Sequence, residues 1–295
     1  MPKIGFIGLG NMGGPMAANL IKSGEHVLGF DVVPASRDSS AANGVEIVAN
    51  ARSCVENAEV VITMLPAGQH VLSVWKDILP VANQGALFID CSTIDVASAR
   101  EAHKLAAERG IATLDAPVSG GVGGATAATL TFMVGGSHHA FARGKPVLER
   151  MGKRVVHCGD AGNGQVAKIC NNMILGASMI AVSEAFVLGE KLGLSHQAMF
   201  DVVSSSSGQC WSLSSYCPVP GPVPASPANN GYKPGFAAAL MLKDLNLARE
   251  AAASVQVETT IGTQAADIYQ EFAETGSGGA DFSGIINFVR QQSKG

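Results

Sequence analysis

Short apolar runs rich in β-branched residues alternate with segments of helical periodicity through the first half of the chain. The runs predict strands at residues 3–7, 27–31, 60–65, 87–90, 113–116, 131–134 and 155–158. Helices are predicted between them, among others at residues 15–23, 69–78 and 97–109. Apolar strands separated by helices are typical of a mainly parallel sheet that is covered on both faces. We therefore predict a doubly wound α/β domain over residues 1–163.

The second half of the chain has a different pattern. Residues 165–192 are compatible with one long helix that is apolar or small on most of its faces. Such a helix is buried by neighbouring elements or by another subunit. Further helices are predicted at residues 240–254 and 260–275, and no convincing strand follows Cys158. Residues 164–295 therefore predict an all-α domain entered through a long connecting helix.

Residues 204–235 show no regular periodicity. This segment contains four consecutive serines, six prolines, Trp211 and two tyrosines. Loops of this length inside a compact domain are uncommon and often functional. We expect an ordered loop that lines a site, and the alternative is a disordered surface insert.

Composition indicates a compact soluble protein. Of 295 residues, 47% are hydrophobic and 15% charged, with a net charge of −4, which argues against nucleic acid or a membrane surface as partners. The most apolar stretch, residues 173–189, is interrupted by Ser178, Ser183 and Glu184 and falls short of the roughly 18 apolar residues of a membrane span. The first predicted strand begins at Lys3, so we expect no targeting segment and a cytoplasmic location.

Six cysteines are scattered without a Cys-x-x-Cys pair, which favours reduced, packed thiols and no metal site.

A glycine-rich turn lies between the first predicted strand and the first predicted helix. Its residues are Gly8, Leu9, Gly10, Asn11, Met12 and Gly13. The G-x-G-x-x-G spacing allows a tight turn, close approach of a pyrophosphate and close packing of helix on strand. Asp31 ends the second predicted strand, where a carboxylate binds ribose hydroxyls and disfavours a 2′-phosphate. The pattern predicts a Rossmann-type NAD site, although Arg37 is also compatible with NADP.

Two later strand ends belong to the same edge of the sheet. Leu65 and Pro66 follow the third predicted strand, and Ser92 and Thr93 follow the fourth. Ligands of open α/β sheets bind beyond the carboxyl ends of the strands, so we assign these residues to the cofactor site. The alternative is that they are ordinary loop residues.

Four segments together resemble the β-hydroxyacid dehydrogenases. They are Gly8-Leu-Gly-Asn-Met-Gly-Gly-Pro-Met16, Asp115-Ala-Pro-Val-Ser-Gly-Gly121, Gly162-Asn-Gly-Gln-Val-Ala-Lys-Ile-Cys-Asn-Asn172 and Lys243-Asp-Leu245. The match covers essentially the whole chain. The resemblance implies a Rossmann-type domain, an all-helical domain reached by a long helix, a small hydroxy acid substrate and a homodimer or homotetramer formed through the helical domains.

Lys168 is the predicted proton-transfer group. It lies near the start of a largely apolar helix, where desolvation, the helix N-terminus and oxidised nicotinamide would lower its pKa. The resemblance implies a catalytic role for this lysine, whereas a lysine reaching solvent is the alternative. Asn172, four residues on, is predicted to bind substrate and to keep Lys168 oriented. Asn171 points elsewhere and is left to packing or capping.

Ser119, Gly120 and Gly121 follow the fifth predicted strand. Successive backbone N–H groups in such a turn can bind an anion, and the resemblance implies a substrate carboxylate there, although a merely flexible turn would look similar.

The remaining assignments lie in the second half. We assign Trp211 to the substrate pocket and Phe236 to the cofactor site, and the resemblance implies that Lys243 lies near the nicotinamide end of the cofactor. Both aromatic residues could instead be core residues, and Lys243 could be solvated or paired with Asp244. No histidine receives a chemical role.

Together these features predict an NAD-dependent oxidoreductase. A non-catalytic dinucleotide-binding module is the alternative from another class, and Lys168 argues against it because such a module needs no acid/base group.

Overall fold

The computed structural model describes residues 3–293 of the chain and divides it into two compact units. The division falls between Lys168 and Ile169, inside a helix that begins at Asn163 and ends at Lys191. The sequence had predicted a boundary five residues earlier, where this helix begins.

The described part of the first unit contains a nine-stranded sheet. Its strands are β1 (Lys3–Ile7), β2 (His26–Phe30), β3 (Glu46–Ile47), β4 (Val60–Thr63), β5 (Leu87–Asp90), β6 (Ala112–Asp115), β7 (Val118–Ser119), β8 (Leu130–Gly135) and β9 (Gly152–Gly159). Their order is β3-β2-β1-β4-β5-β6-β8-β7, with β9 also paired to β8. All pairs are parallel except those of β8 with β6 and β7. The predicted doubly wound, mainly parallel sheet is confirmed.

Helices cover this sheet. They are α1 (Gly13–Lys22), α2 (Pro34–Ala41), α3 (Ala51–Val55), α4 (Gly68–Ile78), α5 (Val96–Ala107), α6 (Gly121–Thr126) and α7 (His138–Leu148). Alternate strand residues point to opposite faces. Ile62 therefore belongs to one hydrophobic cluster with Met16 of α1, while Val61 belongs to a second cluster with Trp75 of α4.

The second unit is helical, as predicted. The long helix α8 (Asn163–Lys191) runs on into it from the first unit and is followed by α9 (His196–Val203), α10 (Trp211–Ser214), α11 (Ala238–Ser254), α12 (Thr260–Glu274) and α13 (Ile285–Gln292). Among the residues described here, the chain after β9 contains no strand, only an isolated bridge between Ala237 and Asp281.

Helix α8 is more apolar than predicted. By length and composition it could cross a membrane, and half of its most apolar window is buried in the protein. Ile174 and Leu188 are 67% and 62% exposed in this chain, so burial of these side chains by another subunit stays a prediction.

The segment 204–235 is folded. It contains α10 and a 3₁₀ turn at Pro227–Asn230, and buries Leu213, Cys217 and Val219 against Phe186 of α8. The periodicity missed these elements because each is only four residues long.

Candidate active site

The glycine-rich turn joins β1 to α1. Gly8 has φ +96°, and an added Cβ would collide with the carbonyl oxygen of Met64 at the end of β4. Its N–H donates to the Phe30 carbonyl at 2.9 Å. Only glycine fits here, and it places the turn beside the ends of β2 and β4, where the strand order reverses.

Space remains open above the turn. Gly10 and Asn11 are exposed, and an added Cβ on Gly10 would meet no atom within 4 Å. Met12, at the N-cap of α1, offers no side-chain acceptor to the first N–H groups of the helix. Open space at the positive end of a helix fits a pyrophosphate.

Asp31 follows β2 directly and does more than predicted. Its Oδ2 accepts a hydrogen bond from Leu9 N and its Oδ1 accepts one from Val33 N, both at 2.7 Å. The guanidinium of Arg37 donates to the Asp31 carbonyl at 2.8 Å. The carboxylate therefore also holds the glycine-rich turn, a role that the sequence analysis missed.

The ends of β4 and β5 are tied together by a buried network around Asp90. Ser92 Oγ and Thr63 Oγ1 donate to Asp90 Oδ1 at 2.6 and 2.7 Å, and Leu65 N donates to Ser92 Oγ at 2.8 Å. Burial raises the pKa of Asp90 to about 6, an effect that the hydroxyl hydrogen bonds partly offset. Asp90 thus positions the backbone of two predicted cofactor segments.

Of the four predicted cofactor residues after β4 and β5, only Ser92 is buried. Leu65 and Thr93 are half-buried and Pro66 is exposed.

The predicted carboxylate-binding turn joins β7 to α6. Gly120 and Gly121 have φ of +135° and +61°, and the backbone of Ser119 pairs with Thr131 of β8. Gly120 is exposed and Ser119 is half-buried. A glycine pair with positive φ at the end of a fixed strand can turn its N–H groups towards an anion.

Lys168 lies in the second turn of α8 and is only 7% exposed. The alternative of a helix-end lysine that reaches solvent is therefore wrong. Burying an amine costs free energy unless polar groups or a function compensate for it.

In the second unit, Asn172 is buried on α8. Its Nδ2 donates to Asp244 Oδ2 at 2.5 Å, and its Oδ1 accepts from Asn171 Nδ2 at 2.9 Å. Lys243 lies 3.5 Å from the other oxygen of Asp244, so the predicted alternative of an ion pair is present. Asp244 received no site role from the sequence, although it lies within the Lys243-Asp-Leu245 motif.

Aromatic residues of the second unit form a stack that begins at Trp211. The ring of Trp211 stacks on Tyr216 at 4.8 Å, and Tyr216 on Phe282 at 5.3 Å. Phe236 meets Phe282 edge-on at 5.8 Å. Trp211 is 51% exposed and is not a core residue, whereas Phe236 is half-buried against the hydrophobic cluster of α11 and α12.

Asp281 holds this aromatic stack in place. Its Oδ2 accepts from Tyr216 Oη, Gly235 N and Phe236 N at 2.9, 2.9 and 3.1 Å. This residue received no role from the sequence.

Residues 3–293 contain no cluster of three His, Cys, Asp or Glu side chains that could hold a metal. The cysteines are free, and Cys54, Cys91 and Cys217 are buried. Burial raises the pKa of Cys54 to about 12, which makes its thiol unreactive.

Comparison with known proteins identifies the family. Residues 3–159 match the model of the NAD-binding domain of 6-phosphogluconate dehydrogenase, and residues 162–289 match the model described as NAD-binding of NADP-dependent 3-hydroxyisobutyrate dehydrogenase. The chain belongs to the β-hydroxyacid dehydrogenase family.

Full-length relatives agree with this assignment. A probable 3-hydroxyisobutyrate dehydrogenase of Mycobacterium tuberculosis is 53% identical over 293 residues, 99% of both chains. An NAD-dependent L-serine dehydrogenase of Pseudomonas aeruginosa is 46% identical over 96% of both chains. The structure of Mycobacterium tuberculosis 3-hydroxyisobutyrate dehydrogenase with L-serine superposes with a TM-score of 0.95 at 53% identity, covering 98% of this chain and 99% of that one.

Membership of this family confirms an NAD-binding oxidoreductase, and the non-catalytic module is set aside. The glycine-rich turn and the open space at the start of α1 fit the dinucleotide on structural grounds alone.

Proposed function

We propose that this β-hydroxyacid dehydrogenase oxidises 3-hydroxyisobutyrate to methylmalonate semialdehyde with NAD, a step of valine breakdown, and that Lys168 transfers the proton. The burial of Lys168 near the start of α8 is the observation that carries the mechanism. The names of full-length relatives at 53% and 48% identity support the substrate. We propose a soluble, cytoplasmic enzyme.

The cofactor assignments follow from the first unit. The residues after β1, together with Asp31, would hold the pyrophosphate and the adenosine ribose. Leu65, Pro66, Ser92 and Thr93, after β4 and β5, would hold the remainder, and Phe236 and Lys243 are further proposed cofactor residues. Bound NAD supplies the acceptor for the hydride of the carbinol carbon.

The protein itself manages the proton and the carboxylate. The turn Ser119–Gly121 would bind the substrate carboxylate through backbone N–H groups and the Ser119 hydroxyl. In oxidation the O–H bond of the substrate breaks and its proton passes to the neutral amine of Lys168; in reduction the proton returns. Asn172 would hydrogen-bond the substrate, and Trp211 would wall its pocket.

L-serine is the principal alternative substrate. The relative from Pseudomonas aeruginosa is named an NAD-dependent L-serine dehydrogenase. The Mycobacterium tuberculosis 3-hydroxyisobutyrate dehydrogenase structure is described as one with L-serine. Both acids carry a primary alcohol on the carbon next to the one that bears the carboxylate. The carbon next to the carboxylate carries a methyl group in 3-hydroxyisobutyrate and an ammonium group in L-serine. The names of the full-length relatives at 53% and 48% identity favour the acid with the methyl group.

A substrate screen tests the proposal. The wild-type protein is incubated with NAD and either 3-hydroxyisobutyrate or L-serine, and with NADH and tartronate semialdehyde, glyoxylate or succinate semialdehyde, while NADH absorbance is followed. We expect the highest kcat/KM with 3-hydroxyisobutyrate. A higher kcat/KM with any other compound would replace the substrate while leaving the mechanism in place.

We also propose that the chain forms a homodimer or homotetramer through its helical unit. Exposed apolar side chains on α8, among them Ile174 and Leu188, lie fourteen residues apart, four turns along one face of the helix. Sedimentation velocity tests this, with a monomer as the contradicting result.

A further inference from the structure

Asp115 connects a strand of the first unit to the helix that carries Lys168. It ends β6, is 1% exposed and begins the Asp115-Ala-Pro-Val-Ser-Gly-Gly motif. Its Oδ1 accepts from Gly162 N at 2.8 Å and its Oδ2 accepts from Gln165 N at 3.0 Å. A carboxylate from a distant strand therefore caps the first turn of α8, three residues before Lys168.

Glycines make this close approach possible. An added Cβ on Gly164 would lie 2.7 Å from Asp115 Oδ2, and one on Gly135 would lie 2.7 Å from the backbone nitrogen of Gly164. Neither position has room for a side chain. The helix start is thus packed directly against the ends of β6 and β8.

His103 of α5 fixes the carboxylate from the other side. Its Nε2 lies 3.0 Å from Asp115 Oδ1, and its Nδ1 lies 2.6 Å from the hydroxyl of Thr113. Because a carboxylate only accepts, Nε2 carries the ring proton. The orientation of Asp115 is therefore set by a second layer of hydrogen bonds.

Gln165 completes the attachment of the same helical turn. Its buried side chain accepts from Ile94 N at 3.1 Å and donates from Nε2 to the Ser92 carbonyl at 2.7 Å. The first turn of α8 is therefore bonded to the loop that contains Ser92 and Thr93. Through Asp115 it is also bonded to the strand that leads to the turn Ser119–Gly121.

We propose that Asp115 is a positioning residue for Lys168. It fixes the direction and axial register of the first turns of α8, and with them the amine, relative to the predicted cofactor and carboxylate segments. It does not contact substrate. The inference rests on the proposed proton transfer by Lys168. Misplacement of a reacting group by about 1 Å is enough to lower a rate on the order of 100-fold.

The test compares three variants, with Lys168→Ala measured alongside. Asp115→Asn keeps one acceptor oxygen, Asp115→Ala keeps none, and Glu25→Gln alters another buried carboxylate, which pairs with Arg150 in the same unit. For each variant, kcat and KM are measured with 3-hydroxyisobutyrate and with L-serine, the Kd of NADH by fluorescence, and stability by urea unfolding.

We expect kcat to fall about 10-fold in Asp115→Asn and about 100-fold in Asp115→Ala. The Kd of NADH should stay within about twofold of wild type, and Glu25→Gln should lose stability but keep its kcat. A wild-type kcat in folded Asp115→Asn would overturn the inference. So would a fall in kcat in Glu25→Gln as large, for the same loss of stability, as in the Asp115 variants, because kcat would then follow stability alone. Retained turnover in Lys168→Ala would instead overturn the proposed mechanism itself.

Discussion

At the scale of single residues, the burial of Asp90 beneath the predicted cofactor segments makes its ionisation less favourable. Asp90 is buried beneath Ser92 and Leu65, and burial raises its pKa from 3.8 to about 6. The folded protein therefore binds this proton more tightly than the unfolded chain does. The stability that this group contributes is complete below pH 3.8 and is lost as the pH rises through 6.

Asp90→Asn tests this balance. The amide cannot ionise, whereas the wild type loses stability as Asp90 ionises. The free energy of unfolding of the variant minus that of the wild type should therefore be about 1 kcal/mol larger at pH 8 than at pH 5. Urea unfolding of both proteins at the two pH values measures the change. If the variant and the wild type differ in free energy of unfolding by the same amount at pH 5 and pH 8, the pKa of Asp90 is no higher in the folded protein than in the unfolded chain.

Asp31 allows a prediction about cofactor choice. Asp31→Ala removes the carboxylate that disfavours a 2′-phosphate, so the ratio of kcat/KM for NAD over NADP should fall by on the order of tenfold. The KM for both cofactors should rise, because Leu9 N loses its acceptor. Asp38→Ala, which removes an exposed acid from α2, is the matched control. An unchanged ratio in Asp31→Ala would refute the specificity role.

At the scale of elements, the long periodic segments could be predicted from the sequence and the short ones could not. Strands β1, β4 and β5 and helices α5, α8, α11 and α12 were found within a few residues of their observed bounds. The two-residue strands β3 and β7 and the five-residue helix α3 are too short to show a period.

Contacts between elements that are distant in the sequence could not be predicted either. Nothing in the residues alone shows that Asp115 caps α8 or that Asp281 binds the backbone of Gly235 and Phe236 ahead of α11. Each carboxylate follows an apolar or irregular stretch, and its partners are backbone N–H groups, which leave no mark in the sequence. The motif that contains Asp115 supported the resemblance without a structural role, and Asp281 received no role.

We expect the hydrogen bonds of Asp281 to keep the segment 204–235 in its folded conformation. Asp281→Ala removes the acceptor of Tyr216 Oη, Gly235 N and Phe236 N, and should destabilise the protein by on the order of 3 kcal/mol. Limited proteolysis should then cut faster within residues 204–235. Asp201→Ala, at an exposed acid of α9, is the control. Equal cleavage rates in wild type and Asp281→Ala would contradict this account.

At the scale of the whole molecule, two compact units share one continuous helix. The first unit ends at Lys168, and Asn172 lies one turn further along α8. The sequence predicted the fold class of both units and the residue types of the site, because the glycine turn and the lysine motif are local patterns. It predicted a desolvated Lys168 but could not give the extent of its burial, 7% exposure, because burial depends on tertiary packing.

The central claim is that Lys168 transfers the proton, and Lys168→Ala tests it most directly. Turnover of 3-hydroxyisobutyrate with NAD is measured together with the Kd of NADH, with Lys191→Ala at the far end of α8 as the matched control. We expect kcat to fall by about 100-fold or more in Lys168→Ala while NADH binding stays near wild type and Lys191→Ala remains active. A Lys168→Ala protein that binds NADH normally and still turns over at a rate close to wild type would contradict the account.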